Sequence, residues 1–311
     1  MKKIILANPR GFCAGVDRAI DIVEKALIKF GSPIYVRHEV VHNKLVVQNL
    51  QSKGVIFINE LDEVPNDGVV IFSAHGVSNQ VENAAKTRKL RYFDATCPLV
   101  SKVHHQVERY SKLGKKVLLI GHKGHPEVEG TMGRHNPNFG SEIYLIQDQD
   151  EARELNIPRN SEIGLVTQTT LSLDDTREII EILKQKFPKL EMPRNDDICY
   201  ATQNRQDAVK QLALEVDFVI VIGSKNSSNS NRLKELAERC GTPAILVDEF
   251  KDIDLKKLEV FNSIGLTAGA SAPEATVQEI AKNLAELFNF DIKNLGQNKE
   301  NIFFKLPPEL R

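Results

Sequence analysis

The sequence predicts an α/β fold with parallel sheets, and two patterns indicate it. Short runs of β-branched residues, each ending in Gly, Ser, His or Asn, alternate along the chain with segments in which apolar residues recur at helical spacing. Continuous apolar runs of this kind are typical of parallel strands that are buried on both faces. Strands and helices that alternate in this way favour helices packed against parallel sheets.

Short apolar runs mark the predicted strands. In chain order they read KIILAN, PIYVRH, VIFI, VVIFSA, VLLIGH, IYLI, GLVTQ, FVIVIG, AILV and SIGLTAG. Two helices are marked most clearly between them, and a glycine that is typical of a helix end follows each one. Their apolar positions are Val16, Ile20, Val23, Leu27 and Phe30 before Gly31, and Val100, Val103, Val107 and Tyr110 before Gly114.

Length and composition bound the class of protein. With 311 residues, 41% of them hydrophobic and 27% charged, the chain is expected to form two or three ordinary globular domains. The net charge of −1 gives no basic field, so nucleic acid is not expected as a partner. No apolar stretch is long enough to span a bilayer, and MKKIILANP has no signal-peptide pattern. We therefore expect a cytoplasmic protein with reduced cysteines and no membrane partner.

Three cysteines stand where an apolar strand gives way to a predicted helix. Cys13, Cys97 and Cys199 each open a similar unit, which indicates a threefold internal repeat. A helix N-terminus carries partial positive charge that favours a thiolate. Three thiolates hold a metal or an iron–sulfur cluster and leave one coordination position open, as a catalytic site requires. Cys240 comes late in a helix and is predicted to be a packing residue.

The cysteine spacing admits a simpler interpretation. A lone cytosolic cysteine is most often a small buried hydrophobe. The chain contains no CxxC pair, so the usual ferredoxin and zinc-ribbon spacings are absent. The case for ligands therefore depends on the three equivalent helix starts and on the residues near them.

Several predicted strands run into polar loops, and ligands bind beyond the carboxyl ends of parallel strands. The loop GSKNSSNSNR offers hydroxyls, amides and backbone N–H groups that suit a phosphate, although it also suits a turn with a helix cap. His42, His75 and His125 lie in such loops, whereas His104 and His105 lie on a helix and are expected to be solvated or capping residues. A nucleotide-binding fingerprint is absent.

The segment GHPEVEG contains a candidate proton donor. Glu127 follows His125 by two residues, and a carboxylic acid beside an open metal position could protonate a leaving hydroxyl. Glu129 competes with Glu127 on spacing alone. The segment is expected to be extended or looping, in which case the two acids need not face the same metal.

The motifs together resemble one known family. NPRGFCAGVDRAI, YVRHEVVHN, FSAHGVS, FDATCPLV, GHPEVEGTMG, TQTTLS, DICYATQNRQ, GSKNSSNSNRL and TAGASAP are similar, in order and spacing, to those of the 4-hydroxy-3-methylbut-2-enyl diphosphate reductase family (LytB/IspH). The likeness extends from about residue 3 to 305, and no motif position departs from it.

The resemblance implies a monomer with three similar α/β domains. Their small, mostly parallel sheets would be in pseudo-threefold arrangement around a central [4Fe–4S] cluster, held by the matching Cys13, Cys97 and Cys199. The implied domains are 14–97, 98–195, and 196–283 together with 1–13, and residues 284–311 would form a tail over the surface.

The resemblance also implies the reaction, which is the last step of the non-mevalonate isoprenoid route. The family removes the allylic hydroxyl of its substrate with two electrons and two protons, giving isopentenyl and dimethylallyl diphosphates, and draws electrons from a ferredoxin or flavodoxin. The open iron would bind the substrate hydroxyl, Glu127 would supply protons, and Thr169 would contact the reacting end. The residues implied to bind substrate are His42, His75, His125, Thr169, Ser227, Ser228, Asn229 and Ser271.

Two other functions fit three cysteine ligands. An aconitase-like hydro-lyase also uses an open iron to remove a hydroxyl, but such enzymes usually contain a CxxC pair and consume no electrons. A non-catalytic iron or redox sensor would predict a basic surface or a partner-binding segment, and the near-neutral charge argues against it.

Overall fold

Strands and helices alternate through the chain, as the sequence predicts. The computed structural model describes residues 2–193, 195–296 and 300–311. Its strands are β1 (Lys3–Leu6), β2 (Ile34–Arg37), β3 (Val55–Ile58), β4 (Val69–Phe72), β5 (Arg91–Asp94), β6 (Lys116–Ile120), β7 (Ile143–Ile146), β8 (Ile163–Thr167), β9 (Leu190–Glu191), β10 (Phe218–Ile222), β11 (Ala244–Val247), β12 (Ser263–Ala268) and β13 (Asp291–Asn294). Its α-helices are α1 (Ala14–Phe30), α2 (Lys44–Ser52), α3 (Asn79–Thr87), α4 (Pro98–Lys112), α5 (Pro126–Met132), α6 (Gln149–Glu154), α7 (Leu173–Lys186), α8 (Tyr200–Ala213), α9 (Ser228–Arg239), α10 (Leu255–Leu258) and α11 (Glu274–Phe288).

The chain divides into two units. The first contains Met1–Asp17, Val41–Ser52 and Tyr200–Phe304, and the second contains Arg18–Val40, Lys53–Cys199 and Lys305–Arg311. The strands of the two units form three parallel sheets, which confirms the predicted α/β class. Within the described parts of the chain, no helix has both the length and the apolar character that crossing a membrane requires.

The first unit contains a five-stranded sheet in the order β11-β10-β12-β1-β13. Alternate side chains of β1 fill two cores: Ile4 packs with Ile280 of α11, whereas Ile5 packs with Leu212 of α8. Because side chains on both faces of β1 are buried, the segment KIIL contains a continuous apolar run. Because β1, β10 and β12 are parallel, the loops that follow them, which carry the NPRGFC, GSKNSS and GASAP motifs, lie at one edge of the sheet.

The second unit contains two four-stranded sheets, ordered β3-β2-β4-β5 and β7-β6-β8-β9. Helix α4 joins them, and its fully buried Tyr110 lies against Gly164 of β8, where an added Cβ would come within 2.3 Å of the ring. The carboxyl ends of β4 and β5 lead to His75 and Cys97, and those of β6 and β8 lead to His125 and Thr169.

Every predicted strand is confirmed, and three further strands were not predicted. Strand β13 is exposed throughout, β5 buries one of its four residues, and β9 has only two residues, so none of them has a continuous apolar run. Gly31 and Gly114 follow α1 and α4 with φ of 78° and 66°, as expected of helix ends.

The expectation of a surface tail from residue 284 was wrong for its first part. Helix α11 continues to Phe288, and β13 then pairs in parallel with β1. Four polar or exposed residues, DIKN, form this edge strand because their backbone groups pair with β1 although their side chains face water. The three domain boundaries stay predictions.

Candidate active site

Each of the three predicted cysteine ligands stands immediately before a helix. Cys13 precedes α1, Cys97 is the N-cap of α4, and Cys199 precedes α8. All three are free thiols and partly exposed. Cys240 is exposed at the C-cap of α9, so the expectation that it packs in a core was wrong.

In the first unit, the Cys13 loop is fixed by its backbone. The Cys13 amide donates to the Ala270 carbonyl (3.2 Å), and backbone N–H groups of Gly15 and Val16 donate to the Cys13 thiol. Burial raises the pKa of the thiol, and the Arg205 guanidinium and these two donors oppose the rise. The sulfur therefore lies in a site that already provides hydrogen bonds to a thiolate.

In the second unit, the other two cysteines are tied to strand ends. The Cys97 amide donates to Ala74 and the Cys199 amide to Thr169, each at 3.0 Å. Lys102 of α4 lies 3.1 Å from the buried Asp197, whose other oxygen accepts from the Thr167 amide (3.2 Å). Burial raises the pKa of Asp197, and Lys102 opposes the rise. This ion pair connects the helix after one cysteine to the segment before the next.

The donor chemistry of the three cysteines fits an iron–sulfur cluster. They are free thiols at helix starts, where the helix dipole favours an anionic group. Among residues 2–193, 195–296 and 300–311, no group of three or more His, Cys, Asp or Glu side chains is close enough to hold one metal ion. A cluster of several irons holds its thiolates further apart than one ion does, so this finding bears on mononuclear sites.

Glu127 is a buried acid held by one partner. Its side chain is 3% exposed, and its two oxygens accept from the amide (2.6 Å) and the hydroxyl (3.0 Å) of Thr169. Burial raises the pKa of Glu127 to about 7, Thr169 opposes the rise, and the charge of Asp197 adds to it. The carboxyl can therefore bind and release a proton near neutral pH.

Helix α5 separates Glu127 from Glu129. The expectation of an extended or looping segment was wrong, because His125 caps a helix that begins at Pro126. Glu127 points into the protein, whereas Glu129 is exposed and lines a cavity of about 350 Å³ with Arg37. The two acids thus have different surroundings although they are two residues apart.

Two of the predicted histidines lie together. The rings of His75 and His125 are edge to face, with centroids 5.7 Å apart. The Nδ1 atom of His125 accepts from the Glu127 amide (3.1 Å), so a neutral ring carries its hydrogen on Nε2. The Nδ1 atom of His75 lies 3.3 Å from the Ser73 hydroxyl. In this tautomer, His125 can donate a hydrogen bond to an anionic ligand.

In the first unit, the start of α9 contains an unsatisfied amide. Asn229 is 4% exposed, and among the described residues neither its Oδ1 nor its Nδ2 atom has a hydrogen-bond partner. Ser227 caps the helix, accepting from the amide (3.3 Å) and hydroxyl (3.0 Å) of Ser230, and Ser228 is the first helical residue. A buried polar group without a partner is destabilising, so Asn229 is the side chain of this loop that most needs a ligand.

The remaining predicted residues of the first unit are linked to one another. The Ser271 hydroxyl donates to the His42 carbonyl (2.8 Å). The Ser224 hydroxyl bonds to Asp248 and accepts from the Lys44 amide at the start of α2. The loop that carries His42 is therefore attached to the same sheet edge as the Ser227 loop.

Sequence reasoning misjudged one histidine and missed three charged residues. His104 is buried beside Gly76, and burial lowers its pKa to about 3, whereas His105 is exposed as expected. Lys102, Asp197 and Arg205 were not singled out. Lys102 and Asp197 are 95 residues apart in the chain, so no local sequence pattern indicated their ion pair. Asp197 could have been noticed as an acid close before the predicted ligand Cys199.

The predicted site residues are distributed over both units. The first unit holds Cys13, His42, Ser227, Ser228, Asn229 and Ser271, and the second holds His75, Cys97, His125, Glu127, Thr169 and Cys199. The structure brings Glu127 to Thr169, His75 to His125, and Ser271 to the backbone of His42.

The sequence is similar to named proteins over nearly its whole length. A family model described as LytB protein matches residues 4–285. A protein from Marinobacter nauticus named 4-hydroxy-3-methylbut-2-enyl diphosphate reductase is 59% identical over 309 residues, which are 99% of this chain and 98% of that protein.

Two solved structures are also similar. One is described as the E-1-hydroxy-2-methyl-but-2-enyl-4-diphosphate reductase from Plasmodium falciparum, with a TM-score of 0.95 and 41% identity, covering 99% of this chain and 96% of that one. The other is described as (E)-4-hydroxy-3-methyl-but-2-enyl diphosphate reductase, the terminal enzyme of the non-mevalonate pathway. Its TM-score is 0.66 at 30% identity, and the match covers 92% of this chain and 100% of that one.

Proposed function

The chain belongs to the LytB protein family, as its motifs predicted, and we propose that it reduces 4-hydroxy-3-methylbut-2-enyl diphosphate. The reaction is the last step of the non-mevalonate isoprenoid route. The allylic C–O bond breaks, two electrons and two protons enter, and the products are water and isopentenyl or dimethylallyl diphosphate.

The observation that carries this function is the buried pair of Glu127 and Thr169. A leaving hydroxyl must be protonated, and Glu127 is an acid whose pKa of about 7 lets it hold a proton at neutral pH. The Thr169 hydroxyl is 3.0 Å from Glu127 Oε2. When that oxygen is protonated it can donate to Thr169, which frees the Thr169 hydrogen for the reacting end of the substrate.

Binding of the diphosphate is assigned to polar side chains in the loops that follow the strands and at the starts of α5 and α9. The Asn229 amide is buried with no partner in residues 2–193, 195–296 and 300–311. Ser227 accepts two hydrogen bonds while its own hydroxyl hydrogen can still donate. His125 presents its Nε2 hydrogen when its Nδ1 caps α5. Hydrogen bonds to charged groups contribute about 1.5–3 kcal/mol each. His42, His75, Ser228 and Ser271 complete the proposed binding set.

The three cysteines are proposed to hold a [4Fe–4S] cluster. When bound, the cluster supplies the electrons and, at the iron that no cysteine holds, a Lewis acid for the hydroxyl. Helix starts after Cys13, Cys97 and Cys199 offset the negative charge that the thiolates and the substrate bring together. We further propose a ferredoxin or flavodoxin as the electron donor, and a monomer located in the cytoplasm.

An anaerobic turnover assay tests the proposal. The purified chain, supplied with a chemical reductant and 4-hydroxy-3-methylbut-2-enyl diphosphate, should consume two electrons for each isopentenyl or dimethylallyl product. Mössbauer and EPR spectra of the same sample should show a four-iron cluster. Loss of water from the substrate without electron consumption, giving a dehydrated product instead, would favour a hydro-lyase. A cluster with no turnover at all would favour a sensor.

A further inference from the structure

A fully buried arginine holds the loop that leads to the first cysteine. Arg205 of α8 is 0% exposed. Its Nε and Nη2 atoms donate to the Gly11 carbonyl (3.0 and 2.7 Å), and Nη2 also donates to Phe12 (3.2 Å). Its Nη1 atom donates to Ala201 one turn earlier (2.9 Å). The guanidinium therefore connects α8 to the two residues directly before Cys13.

The charge of Arg205 is balanced by a residue far along the chain. The Nη1 atom of Arg205 donates to both carboxylate oxygens of Glu300 (3.1 and 3.2 Å) and Nη2 donates to one of them (3.2 Å), while Asn204 donates to the same carboxylate (2.8 Å). The Glu300 side chain is 15% exposed. A buried ion pair of this kind is retained only when its partners are well satisfied, because removing one partner leaves a buried charge.

The loop itself needs support because of its conformation. Gly11 has a φ of 68°, and an added Cβ would lie 3.1 Å from the Ala272 carbonyl. On the other side of Cys13, the Ala14 amide donates to the Tyr200 hydroxyl (3.2 Å), so α8 contacts the loop both before and after the cysteine. Two residues of α8, Arg205 and Tyr200, thus hold the backbone on both sides of Cys13.

We propose that Arg205 and Glu300 are positioning residues, a buried ion pair that holds the Cys13 loop and sets the net charge near a cluster bound there. The part that concerns the cluster rests on the proposed function. Positive charge stabilises the reduced, more negative form of a cluster, and negative charge opposes it. Both charged groups lie at this loop, since Arg205 binds the Gly11 and Phe12 carbonyls and Glu300 binds Arg205.

Two substitutions separate charge from geometry. Glu300→Gln keeps the shape and one acceptor but removes the negative charge, so the midpoint potential of the cluster should rise while the iron content stays at the wild-type level. Arg205→Lys keeps the charge but replaces five fixed donors with three on a flexible chain. Its potential should change little, whereas iron should be lost faster during dilution with a chelator. Anaerobic titration of the cluster EPR signal measures the potential.

The same change in an exposed pair provides the control. Glu274 binds Arg10 near the same loop and its side chain is 49% exposed, so Glu274→Gln should leave both the potential and the iron release unchanged. A Glu300→Gln potential equal to the wild-type value, or a shift no larger than that of Glu274→Gln, would overturn the charge argument. Wild-type iron release in Arg205→Lys would overturn the positioning argument.

Hydrogen exchange tests the positioning without any cluster. In the metal-free protein, the amides of Cys13 and Ala14 should exchange faster in Arg205→Lys than in the wild type, while amides of the β12 core should not change. Equal exchange would contradict the proposal even if turnover were normal. A different result is that the wild-type protein binds no cluster while the exchange of these amides still differs between it and Arg205→Lys. That result would contradict the proposed function and leave the positioning role intact.

Discussion

The start of α9 and helix α5 each carry a buried polar side chain, and the two side chains differ in their hydrogen-bond partners. Asn229 is 4% exposed, and neither of its amide atoms has a partner in the part of the chain that the structure describes. Glu127 is 3% exposed, and Thr169 satisfies both of its oxygens. An unsatisfied group gains most from a ligand, and a satisfied group keeps its orientation without one. The difference indicates that Asn229 contributes binding and Glu127 contributes chemistry.

Removing the proposed metal ligands should affect both regions at once and most strongly. Cys13→Ser, Cys97→Ser and Cys199→Ser should each lose the cluster or nearly all activity, because a hydroxyl is a poor replacement for a thiolate ligand. Cys240→Ala should remain close to wild type, since Cys240 is exposed at the end of α9. Iron content and visible absorption check this. Loss of the chromophore in Cys240→Ala alone would contradict the ligand set.

Glu127→Gln should leave binding intact and remove proton delivery. Glutamine keeps the size of the side chain but cannot donate a carboxyl proton, and general acid catalysis is typically worth about 10²–10⁴-fold in kcat. Glu129→Gln is the matched control, because this acid is exposed on the other side of α5. Both kcat and substrate affinity should be measured with reductant in excess. Wild-type kcat in Glu127→Gln would leave water, Thr169 or the substrate diphosphate as the donor.

Asn229→Ala should weaken binding without lowering the stability of the substrate-free protein. The lost hydrogen bonds to a charged ligand would reduce affinity by about 1.5–3 kcal/mol, but no partner in the described protein loses a bond. Ser227→Ala should reduce affinity too, and it should also lower stability by about 1 kcal/mol because Ser227 caps α9. Titration with inorganic diphosphate and thermal unfolding distinguish the two. If both variants bind inorganic diphosphate with wild-type affinity, the loop does not bind the ligand and serves only as a turn and helix cap.

One limb of the pH dependence of turnover should follow Glu127. Its pKa is raised from 4.5 to about 7, so the proton needed for donation is lost as pH rises through 7, and kcat should fall about tenfold per unit above it. The stability contributed by this group has the same sign: it is complete below pH 4.5 and is lost as pH rises through 7. Glu127→Gln should lack this limb. The same limb in that variant would assign it to another group.

Local patterns predicted the strands and the positions of the cysteines, but not the pairs that give the site its properties. Apolar runs such as FVIVI mark strands buried on both faces, and Cys97-Pro98 marks a helix start by itself. The contact between Glu127 and Thr169 spans 42 residues, and that between Arg205 and Glu300 spans 95. No local signal encodes such contacts, so their roles came from the family resemblance or from the structure.

The position of β1 determines when the first cysteine site can form during synthesis. Strand β1 (Lys3–Leu6) pairs with β12 (Ser263–Ala268) and β13 (Asp291–Asn294), so both of its neighbours are synthesised long after it. The two sheets of the second unit use segments that are close in sequence and can form while translation continues. A prematurely terminated chain could therefore fold most of its second unit and still lack the sheet that carries Cys13. Loading of the proposed metal centre therefore requires chains that have been translated at least through β12.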